Sequence, residues 1–119
     1  KLFIETVGKR NVVFAVRGAP VINDVTTDDA RYVGMDKVAR VVSNGYDAPS
    51  TILDYCSPEF HDVFEHADLV ISKGQGNFEG LNEKTNKNIF FLLMAKCKVV
   101  AETLKVSQGS FVIKSSMIN

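Results

Sequence analysis

The chain has 119 residues, 45% of them hydrophobic, enough to bury the core of one compact domain. Fourteen basic residues balance fourteen acidic ones, so no net field points to nucleic acid or a membrane surface as partner. The longest apolar run, residues 89–95, is too short to span a bilayer.

In chain order, residues 2–7 read as the end of a helix closed by Gly8. Residues 11–16 are an apolar run expected to form the first strand. Thr26-Thr27-Asp28-Asp29 then offers an N-cap and acidic first turn for a helix running to about Val33 and stopped by Gly34. A second strand is expected over residues 38–42, ending at the turn signal Ser43-Asn44-Gly45, with residues 46–50 continuing as loop. Ser57-Pro58-Glu59 opens a helix to about Ala67, with Phe60, Val63, Phe64 and Ala67 on one stripe.

Residues 69–72 form the third expected strand, followed by a glycine loop and a short helix over residues 78–81. The polar stretch 82–87 reads as a surface connection. Residues 88–94, apolar throughout, suit a central parallel strand buried on both faces. A helix over residues 98–104 and a last strand over residues 111–113 complete a single domain. The alternation predicts a three-layer α/β/α sandwich with a mostly parallel, Rossmann-like sheet.

Two loops carry the polar chemistry. Ser72-Lys73-Gly74-Gln75-Gly76-Asn77-Phe78-Glu79 leaves the third strand, and its two glycines let backbone approach a ligand closely. Arg17-Gly18-Ala19-Pro20-Val21-Ile22-Asn23-Asp24 leaves the first. In an open parallel sheet, ligands bind beyond the carboxyl ends of the strands, so both loops are expected at one edge of one sheet. Asp24 brings a carboxylate able to hold a hard cation, and Lys73 an ammonium able to hold a phosphate. Each feature also has a plainer reading: Asp24 as an Asx-turn carboxylate, Lys73 as a solvated lysine beside an ordinary turn.

The order Gly18-x-Pro20-x-x-Asn23-Asp24, Asp28-Asp29-Ala30, Ala67-Asp68-Leu69-Val70-Ile71-Ser72-Lys73-Gly74-Gln75-Gly76-Asn77-Phe78-Glu79 and Phe91-Leu92-Leu93-Met94-Ala95-Lys96-Cys97 resembles the metal-dependent damage-control phosphatases. The similarity runs over residues 11–113, and the Lys-Gly-Gln-Gly-Asn block is similar to the prokaryotic branch. The resemblance implies hydrolysis of small phosphomonoesters, such as sugar phosphates or other phosphorylated metabolites, with a divalent metal ion (Mg, Mn, Co or Ni). It implies that Asp24 is a metal ligand and that Lys73 clamps the phosphoryl group. Gln75, Gly76 and Asn77 would supply amide and backbone donors, while Asn23 either contacts substrate or caps its loop. Gly18 and Pro20 would shape the first loop; Asp28, Asp29, Asp47 and Glu79 are expected to cap helices or support the site, Glu79 being the best outside candidate.

Family members also carry an upstream Asp-Asn-x-x-Glu motif that supplies further metal ligands. This sequence has none before Lys1, which implies the C-terminal part of a larger protein whose N-terminal portion completes the site. By this expectation the fragment is inactive alone. A nucleotide-binding module and a purely structural domain are the competing readings. Against the first, Gly74-x-Gly76 lacks a third glycine two residues on, where Phe78 and Glu79 stand. Cys56 and Cys97 are too few and too far apart for a disulfide framework and suit a reducing, cytoplasmic compartment.

Overall fold

The structure, a computed structural model, describes residues 1–8 and 11–117. The chain divides into two compact units, one formed by Lys1–Pro49 and Asp54–Phe64, the other by Ser50–Leu53 and Glu65–Asn119. Both mix α and β structure, the class expected from the alternation.

In the first unit, helix α1 (Leu2–Val7) ends at Gly8, with φ 79°. Strand β1 (Val13–Val16) runs parallel to β2 (Arg40–Ser43), with Val13 opposite Arg40 and Val16 opposite Ser43. A parallel pair needs a crossover, and helix α2 (Thr27–Tyr32) with a 3-10 turn over Met35–Lys37 supplies it. Thr26 caps α2 as its sequence suggested, and buried Ile4, Val16, Ala30 and Met35 form the core. Helix α3 (Pro58–His66) begins here, its Phe60 and Phe64 rings buried and stacked at 5.7 Å. Val63 is half-buried, and Ala67 lies beyond the helix end.

The second unit has strand order β3-β4-β5. Strand β3 (Val70–Lys73) pairs parallel with β4 (Ile89–Met94), while β5 (Phe111–Ser115) returns antiparallel to β4. Helix α4 (Gln75–Leu81) follows β3, and α5 (Lys98–Leu104) follows β4. Phe78 of α4 meets Phe91 of β4 edge to face at 5.2 Å, anchoring the helix on the sheet.

Three expectations change. The strands pair as two separate sheets rather than one, because alternation reveals strands but not their partners. β4 buries only alternate residues, Ile89, Phe91 and Leu93, while Phe90, Leu92 and Met94 are half-buried. Finally, α4 starts at Gln75 instead of residue 78, so most of the expected glycine loop is the first turn of a helix.

Candidate functional site

The loop after β1 is built around Arg17. This residue is 8% exposed and donates from Nε and Nη2, both at 2.9 Å, to the same oxygen, Oδ2 of Asp24. Its backbone N–H reaches the Val25 carbonyl at 2.8 Å, and Asp24 N–H closes a turn onto the Val21 carbonyl at 2.9 Å. The pairing uses one carboxylate oxygen and leaves Oδ1 of Asp24 without a hydrogen bond among the described residues. Sequence reasoning missed Arg17: an arginine at a strand end reads as surface, and its burial is visible only in the fold.

Asp24 and exposed Asn23 line an open depression of about 390 Å³ with Pro20, Ile22, Thr26 and Asp29. Ile22 holds φ 50° and is 90% exposed. A β-branched residue in that region is strained by about 1–3 kcal/mol, and this strain sits next to Asn23-Asp24. One wall is rigid. Thr26 N–H and hydroxyl donate to Oδ2 of Asp29 at 2.9 and 2.8 Å, and Asp29 N–H returns to Thr26 Oγ1 at 3.4 Å. The Thr26 N–H, then its hydroxyl, holds the Asp29 carboxyl below its ordinary range. This confirms Asp29 as a capping group; Asp28 is exposed and pairs with Arg31 at 3.6 Å.

The β2 end is tied to this loop. Gly18 N–H donates to the Tyr46 carbonyl at 3.0 Å and Asn44 N–H to the Val16 carbonyl at 2.8 Å. Buried Asn44 also accepts Tyr46 N–H at 3.0 Å, the turn that Ser43-Asn44-Gly45 signalled. Burial pushes the Cys56 thiol up, an effect only partly offset by the Arg17 charge. Both cysteines are free thiols.

The second loop leaves β3 at Lys73, which is exposed and whose ammonium has no partner among the described residues. Gly74 follows at φ 96°, a conformation suited to glycine alone, and turns the chain directly into α4. The side chains expected to bind ligand are already engaged within the protein. Gln75 accepts Lys96 N–H at 2.7 Å and donates to Glu79 at 2.8 Å and Cys97 Sγ at 3.4 Å. Asn77 donates to the Lys73 carbonyl at 2.9 Å and accepts from Thr51 Oγ1 at 2.8 Å. The Gly76 carbonyl accepts from Ser50 Oγ at 2.8 Å. Adjacent Ser72 is buried, with an Oγ that has no partner among the described residues, an arrangement costing about 1–3 kcal/mol.

Each loop stands at the carboxyl end of a parallel strand pair, as sequence suggested, but the two pairs belong to different sheets and not to the single sheet expected. For a hard divalent cation, the donor chemistry fits in part: Asp24 has an available anionic oxygen and Asn23 a neutral one. Among the described residues no group of three His, Cys, Asp or Glu side chains converges to hold a metal.

A family model described as the damage-control phosphatase ARMT1-like domain matches residues 1–112. The chain belongs to this damage-control phosphatase family. It is 42% identical over 109 residues to the damage-control phosphatase PH1575 of Pyrococcus horikoshii, covering 92% of this chain and 38% of that protein. It is 44% identical over 107 residues to the uncharacterized protein MJ0202 of Methanocaldococcus jannaschii, covering 87% of this chain and 35% of the relative. A crystal structure titled as a DUF89 family protein (PH1575) from P. horikoshii superposes with a TM-score of 0.90 at 40% identity, covering 97% of this chain and 41% of that one. The chain spans between a third and two fifths of those relatives' length.

Proposed function

We propose that the whole protein to which this chain contributes is a metal-dependent phosphatase acting on small phosphomonoesters, such as sugar phosphates or other phosphorylated metabolites. The observation that carries the reading is Asp24, fixed through one oxygen by buried Arg17 while the other takes no hydrogen bond beside an open depression. Family membership supplies the reaction class. Asp24, with Asn23, would hold a divalent cation (Mg, Mn, Co or Ni), the further ligands coming from the N-terminal portion of the same protein. Such a cation, when bound, polarises phosphoryl oxygens. Lys73, whose ammonium has no partner among the described residues, would neutralise charge on the transferring phosphoryl group. The Gln75 and Asn77 amides hold the turn that follows Lys73. Two cysteines, too few and too far apart for a disulfide framework, suit a reducing, cytoplasmic setting.

The test uses the intact protein with Asp24→Asn and Lys73→Ala. Asparagine keeps an acceptor for Arg17 while removing the charge. We expect Asp24→Asn to lower divalent-metal affinity and reduce phosphatase kcat/KM by about a hundredfold or more, the scale of losing an electrostatic group at a phosphoryl centre. Lys73→Ala should leave metal affinity intact and weaken inhibition by inorganic phosphate. Calorimetric titration with metal and then phosphate separates the two roles. Unchanged hydrolysis of several phosphomonoesters by Asp24→Asn would overturn the reading, and tight binding of a nucleotide without hydrolysis would favour the nucleotide-binding alternative.

A further inference from the structure

The short segment Ser50–Leu53 belongs to the second unit although the sequence on either side of it belongs to the first. It lies against the helix that follows the glycine turn. Ser50 Oγ donates to the Gly76 carbonyl and Thr51 Oγ1 to Oδ1 of Asn77, both at 2.8 Å. Thr51 is 7% exposed. The approach is close because of Gly80: a Cβ there would overlap Ser50 Oγ and the Thr51 carbonyl oxygen. Gly76 and Gly80 are four apart and share a helix face, so α4 presents a side-chain-free surface on which this segment rests.

The Thr51 hydroxyl fixes more than packing. An amide side chain has one accepting and one donating end, and which end points where is decided by its partners. With Oδ1 of Asn77 held by the Thr51 hydroxyl, Nδ2 is directed at the Lys73 carbonyl, 2.9 Å away. The chain of hydrogen bonds runs from Thr51 through Asn77 to the backbone of Lys73, the residue whose ammonium is unpartnered among the described residues. Loss of the hydroxyl removes a bond that favours this orientation, and a rotated amide would set Oδ1 against the Lys73 carbonyl oxygen.

We propose that Thr51 is a positioning residue for Lys73, acting through the orientation of the Asn77 amide, with Gly80 making its approach possible. The inference rests on the reading of Lys73 as the phosphate-gripping cation, and it adds a residue 22 positions upstream of the loop to that site.

The experiment measures hydrolysis of p-nitrophenyl phosphate and its inhibition by inorganic phosphate for the intact protein and for Thr51→Val, Thr51→Ser, Lys73→Ala and the Lys73→Ala/Thr51→Val pair. Loss of one hydrogen bond in the path should raise KM and the phosphate inhibition constant roughly fivefold in Thr51→Val, with a smaller change in kcat. Thr51→Ser, which keeps the hydroxyl, should restore both. In the Lys73→Ala background Thr51→Val should add nothing, because the residue it positions is gone. Wild-type constants in Thr51→Val, or its full effect persisting on top of Lys73→Ala, would overturn the proposal. A second measurement is independent of turnover: the Asn77 side-chain amide protons should exchange slowly in the wild type and in Thr51→Ser and rapidly in Thr51→Val. Equal exchange in all three would break the proposed path, whereas wild-type kinetics in Lys73→Ala would instead remove the role given to Lys73. If Thr51→Val does not fold, Thr51→Ala carries the same comparison.

Discussion

Asp24 answers to two demands at once. Its Oδ2 accepts from Nε and Nη2 of Arg17, so removing the carboxylate takes this ion pair from a guanidinium whose side chain is 7% exposed. In a fully buried pair that loss costs about 3–5 kcal/mol, and less here because Asp24 is 39% exposed. Asparagine is therefore the cleaner probe of its chemistry than alanine. Asp29 gives a pH prediction. Its carboxyl is held low by Thr26, so the folded state favours the charged form. That contribution is complete above the ordinary carboxylate range and is lost as pH falls through the depressed folded value. Asp29→Asn should lower the urea midpoint at neutral pH, and the gap from wild type should close in strong acid; a gap that persists there would count against the cap. Asp24 and Lys73 were singled out by the loops that follow two apolar runs and by the family resemblance. Arg17 was not, since nothing local marks an arginine for burial.

Among the elements, those with local signals were legible. α2 carries its own capping box, and α5 occupies the Lys98–Leu104 span expected for it. The start of α4 was hidden, because the bonds that set it come from Thr51, 26 residues before Asn77, and from Lys96, 21 residues after Gln75. The division of strands into two sheets and the reversal of β5 were hidden for the same reason: partner choice is a long-range matter that alternation does not encode. The α4 contact gives a prediction at this scale. Gly80→Ala should favour the isolated helix by about 1 kcal/mol yet destabilise the protein by about 1–3 kcal/mol through overlap with Ser50 and Thr51. Denaturant unfolding decides the sign, and a stabilised variant would show that the segment can give way.

For the whole molecule, balanced charge leaves no field to steer a polyanion. Among the described residues no helix is long and apolar enough to cross a membrane. The proposed phosphatase role draws on the two loops and on the polypeptide that full-length relatives carry beyond the matched part. The order of the two units along the chain has a further consequence. Residues 50–53 are lent to the second unit between two stretches of the first, so the backbone changes unit at three places. No single cut separates the units cleanly. A peptide spanning residues 65–119 would contain both glycines of α4 but not the four residues that rest on them, and its Gly76 and Asn77 amides should exchange hydrogen faster than in the intact chain. Recombination or proteolysis at the natural-looking boundary after Phe64 would thus leave the second unit with its glycine turn untethered, and an evolutionary exchange of this unit between relatives would have to carry a noncontiguous tetrapeptide along with it.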